Sequence, residues 1–138
     1  MNKQAVLNFC RQFQYGTLAT VSQEGNPEAS TIEYALSDDF ELIFDTMEDY
    51  RKCLNLKSNP KVAFVFGWDN TRTVQYEGVA RELSGDELTK YQQIYIKHHP
   101  NVKKWMHEEG IVFYAVQPAW IRYADWNKFP PQTNEFEF

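Results

Sequence analysis

Between Tyr15 and Thr46 the chain alternates three runs rich in β-branched and aromatic residues with short polar turns, a rhythm that few folds accommodate. Tyr15–Val21 is the first run, and Ser22-Gln-Glu-Gly-Asn-Pro27 supplies the Gly and Pro of a hairpin turn. Glu28–Leu36 is the second run, Ser37-Asp-Asp the next turn, and Glu41–Thr46 the third run, with Leu42 and Phe44 on one face and Ile43 on the other. The spacing predicts an antiparallel meander up to this point. Lys61–Trp68 is almost wholly apolar and is expected to be a strand buried on both faces. Arg72–Leu83 reads as a long strand with Gly78 marking a bulge or a close backbone approach. Ile111–Gln117 and Trp120–Tyr123 are two further strand-like runs, while the tail from Asn127 shows little periodicity.

Helical spacing occurs in three places. Ala5, Val6, Phe9, Cys10 and Phe13 make one apolar face over Asn2–Phe13. Glu48–Lys57 is helical by period, with Leu54 and Leu56 near its end, and Asn59-Pro60 stops it. Ser84 and Glu87 form a capping-box pattern for a helix from Gly85 to about Lys97, and Asn101–Glu108 is expected to add a short one. Roughly five to seven strands, mostly antiparallel and flanked by helices, predict a small closed or partly closed β-barrel. At 138 residues the chain has room for one such domain and not for two of ordinary size.

The stretch most suggestive of chemistry is Phe44-Asp-Thr-Met-Glu-Asp-Tyr-Arg-Lys52, where an apolar strand ends in a hydroxyl and two adjacent cations follow. Two neighbouring basic residues on a helix are ordinarily a solvated face. Here Arg51 offers a planar fork, Lys52 a point charge, and Thr46 with the free N–H groups of a helix start completes an anion cradle. In a protein of net charge -5 this is a local site and not part of a basic surface. Nineteen acidic against fourteen basic residues argue against a nucleic-acid backbone as partner.

Other patterns carry less. Cys10 and Cys53 lie far apart, in no metal-ligand spacing, and read as buried thiols of a reducing compartment. His98, His99 and His107 invite a metal, but adjacent histidines point to different sides of a helix end, so no metal is expected. Glu33 and Glu77 fall on predicted strands as possible buried acids, without a nearby His to form a hydrolytic dyad. No cationic start followed by an apolar run and no long apolar span is visible, so neither export nor membrane spanning is expected. Aromatic residues make up 16% of the chain, large surfaces suited to packing, a subunit interface or a planar ligand.

In their order and spacing, Leu18-Ala-Thr-Val21 with Gly25-Asn-Pro27, Phe44-Asp-Thr46 with Tyr50-Arg-Lys52, Asn59-Pro60, Trp68, and Arg72-Thr-Val74 to Glu77-Gly78 resemble the flavin-binding split-barrel superfamily typified by pyridoxamine 5′-phosphate oxidase. The resemblance runs from about Tyr15 to Tyr123. It implies a mainly β domain with flanking helices, built on a six-stranded antiparallel split barrel and spanning 1–138. It also implies a homodimer holding two molecules of flavin mononucleotide (FMN) in the grooves between subunits. Arg51 and Lys52 would then bind the flavin phosphate, and Thr46 would donate from its strand end. The backbone of Ser30, Thr31 and Ile32 would run along the isoalloxazine edge, with Thr73 where the oxidase has a ring-contacting glutamine. Of the tryptophans, Trp120 and Trp126 would lie near the partner's flavin.

Several positions depart from the oxidase. Ser30 replaces a flavin-binding arginine, Ala35 a lysine and Tyr50 a serine. The oxidase ends in an arginine and histidine cluster that grips the phosphorylated vitamin, whereas this chain ends Lys128-Phe-Pro-Pro-Gln-Thr-Asn-Glu-Phe-Glu-Phe138. The expectation is therefore a cytoplasmic, FMN-binding, oxidoreductase-like protein acting on an unidentified small molecule other than pyridoxamine 5′-phosphate. The alternatives are a flavin- or ligand-binding module without turnover, acting as a sensor or stress-related carrier, and the same fold with deazaflavin, haem or no cofactor.

Overall fold

The computed structural model describes residues 1–67 and 69–138, so the expectations that fell on Trp68 lie outside the described residues. Helix α1 (Lys3–Cys10) leads into β1 (Tyr15–Val21) and β2 (Pro27–Glu33), followed by the two-residue β3 (Ala35–Leu36) and β4 (Leu42–Met47). Helix α2 (Arg51–Ser58), β5 (Lys61–Phe66), β6 (Arg72–Glu82) and α3 (Gly85–His98) come next. A 3₁₀ turn (Pro100–Lys104), β7 (Ile111–Asp125) and β8 (Gln132–Glu137) complete the chain. No helix among the described residues is long and apolar enough to cross a membrane.

All the strands join one antiparallel sheet in the order β2-β1-β5-β6-β7-β4-β3, with β8 added beside β7. The sheet curls into the expected split barrel: without the short β3 and the added β8, six strands remain. The meander does not continue past β2. Glu28–Leu36 breaks at Tyr34, so β2 pairs with β1 and β3 pairs with β4. The buried Tyr34 hydroxyl donates to the Cys10 carbonyl at this corner, pinning α1 beneath it.

Two apolar clusters follow from the strand alternation. Leu42 and Phe44 point into the barrel with Leu18, Phe64, Phe66 and Tyr76, while Ile43 points outward to Tyr91, Tyr95 and Val102 beneath α3 and the 3₁₀ turn. Both cysteines are buried free thiols. Strand β5 corrects one expectation. Val62, Phe64 and Phe66 are buried but Lys61, Ala63 and Val65 are exposed, so only one of its faces is covered in the single chain. The apolar run reflects small residues on an open face.

Strand β7 corrects another. Ile111–Gln117 and Trp120–Tyr123 are one 15-residue strand, because Pro118 falls where the chain can spare an N–H. Opposite it, the register with β6 shifts between Glu77 and Gly78, the bulge that Gly78 announced. On its other edge β7 changes partner, from β4 up to Val116 to β8 from Trp120. The aperiodic tail thus becomes a strand by pairing. The capping box at α3 does not form: Ser84 caps without a side-chain bond, and Glu87 pairs with Arg81 instead.

Candidate functional site

The barrel is open between β2 and β4. Strand β2 ends the sheet path, so alternate backbone N–H and C=O groups of Ser30, Thr31 and Ile32 face away from β1 toward this seam. A cleft of about 280 Å³ fills it, walled by Thr31, Ile32 and Glu33 on one side and Asp45, Thr46 and Met47 on the other. Tyr50 and Lys52 close its end and also line an adjoining cleft of about 400 Å³ with Thr20, Glu28, Ser30 and Arg51. The two clefts form one groove along the free edge of β2, ending at the start of α2.

That helix start is chemically bare. Its N-cap, Tyr50, makes no side-chain capping bond, and no acid occupies the first turn. In the first turn Cys53 N–H donates to the Tyr50 carbonyl at 3.0 Å, which leaves the N–H groups of Arg51 and Lys52 open to an external acceptor. Thr46 is buried at the end of β4, and Lys52 Nζ lies 3.4 Å from its hydroxyl oxygen and 5.0 Å from the Tyr50 ring centroid. Arg51 stands on the other side and pairs with Glu28 of β2. Asn55, one turn later, donates to Glu28 Oε1 at 2.8 Å and to Thr20 Oγ1 at 2.9 Å. Arg51 and then Asn55 hold the Glu28 carboxyl below the usual carboxylate range.

At the far end of the groove the chemistry changes. Glu33 accepts from Gln14 at 2.9 Å and from the Tyr95 hydroxyl at 3.4 Å, with His99 Nδ1 3.5 Å away. Asp45 accepts from Trp105 Nε1 at 2.9 Å. Burial first, and then the nearby Asp45 and Glu33 charges, push the Tyr95 phenol above its ordinary range. This end therefore offers acceptors and rings, whereas the α2 end offers donors and cations.

Of the residues singled out in the sequence, Ser30, Thr31, Ile32, Thr46, Arg51 and Lys52 all line this groove. Thr73 and Trp120 do not. Thr73 lies on the exposed face of β6, and Trp120 is half-buried on β7, where its indole N–H approaches Glu135 of β8. Glu33 is half-buried and Glu77 exposed. His99 Nε2 faces the Tyr34 carbonyl, His98 is exposed, and no group of three or more His, Cys, Asp or Glu converges on a metal position among the described residues. The sequence reading missed Glu28, Asn55 and Asp45. Asn55 had a signal, since four residues from Arg51 places it on the same helix face.

A family model described as pyridoxamine 5′-phosphate oxidase matches residues 3–125. The chain belongs to that family. Pyridoxine/pyridoxamine 5′-phosphate oxidase of Bordetella pertussis is 38% identical over 76 residues, which cover 54% of this chain and 36% of the oxidase. The chain thus spans about a third of the length of the curated relatives it matches. Two solved structures share the fold of the family. A heme binding protein from Mycobacterium smegmatis superposes with a TM-score of 0.80 at 17% identity, covering 99% of this chain and 60% of that one. A pyridoxamine 5′-phosphate oxidase-related, FMN binding protein from Nostoc punctiforme superposes with a TM-score of 0.67 at 15% identity, covering 99% and 95%.

Proposed function

We propose that this protein binds FMN along the barrel seam, as a homodimer, and uses it in redox chemistry on a small molecule other than pyridoxamine 5′-phosphate. The observation that carries the reading is the uncapped start of α2, set with Lys52, Arg51 and Thr46 at one end of a groove whose long wall is the free edge of β2. The residues fit the cofactor: a phosphate suits the cations and free N–H groups, and a flat polar ring suits unpaired strand-edge amides and carbonyls. Bound there, the flavin would supply the hydride-accepting centre, and the protein would supply position and polarity.

The dimer is supported by an open face. Thr17, Ala19, Ala29, Thr31, Ala63 and Val65 share the outer side of β2, β1 and β5, a patch of small uncharged side chains with Lys61 and Glu33 at its borders. On the same face, Thr73 and Trp120 sit three and four strands from Thr31, about 14 and 19 Å across the sheet. That separation keeps them out of their own chain's groove, but a twofold partner packed on this face could bring its β6 and β7 over it. Against the vitamin phosphate as substrate stands the pairing of Arg122 with Glu135, which engages the one arginine of β7.

The test is the spectrum of the purified protein after FMN addition. Bands near ~450 nm that bleach with NADPH are expected. Bands that resist reduction would leave a flavin-binding module without turnover. A Soret band near ~400 nm would point to a haem protein, and a colourless sample that ignores FMN would refute both. Replacing Arg51 and Lys52 together by Ala should weaken FMN binding about 30-fold while leaving the fold intact.

A further inference from the structure

Arg51, the one of the two proposed phosphate ligands that offers a planar fork, is already occupied. Its guanidinium is paired with Glu28, while the buried Asn55 amide donates to the other oxygen of the same carboxylate. The donors that α2 presents toward β2 therefore converge on an anion supplied by the protein itself. Glu28 and Arg51 line both the groove end and the neighbouring cleft beneath the β1–β2 turn, so the pair forms the partition between them. Lys52, on the other side of the helix start, makes no ion pair among the described residues.

From this arrangement we infer that Glu28 is a specificity-determining residue, an internal anion that competes with the incoming phosphoryl group for Arg51. The inference rests on the FMN reading above. A phosphate arriving at the start of α2 either detaches Arg51 from Glu28 or binds through Lys52 and the helix amides with a carboxylate alongside. The Arg51 side chain is 79% exposed, so the pair is solvent-screened and can be displaced. The site is thereby set to release its phosphorylated ligand readily. A ligand without a phosphate is indifferent to Glu28.

Four proteins test this: wild type, Glu28→Gln, Arg51→Ala and the double variant, each titrated with FMN and with riboflavin at one fixed, low ionic strength. Glutamine keeps an oxygen for Asn55, and Glu28→Ala serves as the second variant should the amide perturb folding. FMN is expected to bind Glu28→Gln about fivefold more tightly than wild type, with riboflavin unchanged. At least half of that gain, on a logarithmic scale, should vanish in the Arg51→Ala background. Equal or weaker FMN binding by the Glu28 variants would overturn the inference alone, as would an equal gain for riboflavin or a gain fully retained without Arg51. FMN binding by none of the proteins would overturn the flavin reading and this inference with it.

Discussion

Trp105 donates its indole N–H to Asp45 at 2.9 Å, tying the 3₁₀ turn after α3 to strand β4 on the wall of the seam. The bond joins residues 60 positions apart and places an aromatic surface beside the groove. It also satisfies a half-buried carboxylate that would otherwise lack this donor.

Trp105→Phe keeps most of the ring and removes the donor. It should cost about 1–2 kcal/mol, a loss of several degrees in melting temperature. Asp45→Asn, which retains an acceptor oxygen, should cost less. A thermal melt of both variants checks the order, and equal losses would mean that the bond depends on the charge of the Asp45 acceptor.

At the bulge, a Cβ on Gly78 would lie 2.4 Å from the Gln117 carbonyl oxygen and 2.7 Å from Val116 Cγ1. Backbone cannot yield as a side-chain tip can. Gly78→Ala is therefore expected to lose about 3 kcal/mol by urea unfolding, although alanine is ordinarily the better strand residue. A loss below about 0.5 kcal/mol would mean that the bulge relaxes freely.

Lys52 and Arg51 should not contribute equally to FMN binding. Because Arg51 is engaged by Glu28 and Lys52 lies by Thr46 without a carboxylate partner among the described residues, Lys52→Ala should weaken binding more, by about tenfold against about threefold for Arg51→Ala. Fluorescence titration of the two single variants reads the order. The reverse order would mean that Arg51 leaves Glu28 without cost.

Burial pushes the Cys10 thiol above its ordinary 9.0 and the Tyr34, Tyr76 and Tyr95 phenols above their ordinary 10.0. The native state holds these groups neutral, whereas the unfolded chain ionises them at ordinary values. Their contribution to stability is therefore complete below about pH 9 and is lost as pH rises through the unfolded values toward the raised native ones. The urea midpoint should stay flat between about pH 7 and 8.5 and fall beyond about pH 9. Replacing Cys10 by Ala should delay the onset of that fall.

Much of this molecule was legible in its sequence because local rules and tertiary context agree. The hairpin at Gly25, the opposite faces of Leu42 and Ile43, and the bulge at Gly78 each follow from short-range patterns that the fold confirms. What escaped depends on distant partners. Residues 132–137 lack a period of their own and become a strand by pairing with β7, and Pro118 looks like a break until its lack of an N–H is seen to fall where β7 changes partner. Within α2, Leu54 is 62% exposed while Leu56 is 6% exposed, a difference set by how the helix lies on the barrel. The groove divides the same way. Thr46, Arg51 and Lys52 are neighbours in sequence, but Glu28 comes from another strand, and its effect on Arg51 is visible only once β2 and α2 meet.

The sharing of β7 has a mechanical corollary. One edge of that strand is held by β4 over residues 111–116 and by β8 over residues 120–125, while β6 runs along the other. A slip of one residue would turn every side chain of β7 to the wrong face for all three neighbours at once. The strand therefore works like a common shaft, on which neither gear can advance a tooth alone. Thr46, carried by one of those gears, is kept in place at the seam by pairings as remote as Trp120 with Glu137, close to the other end of the chain.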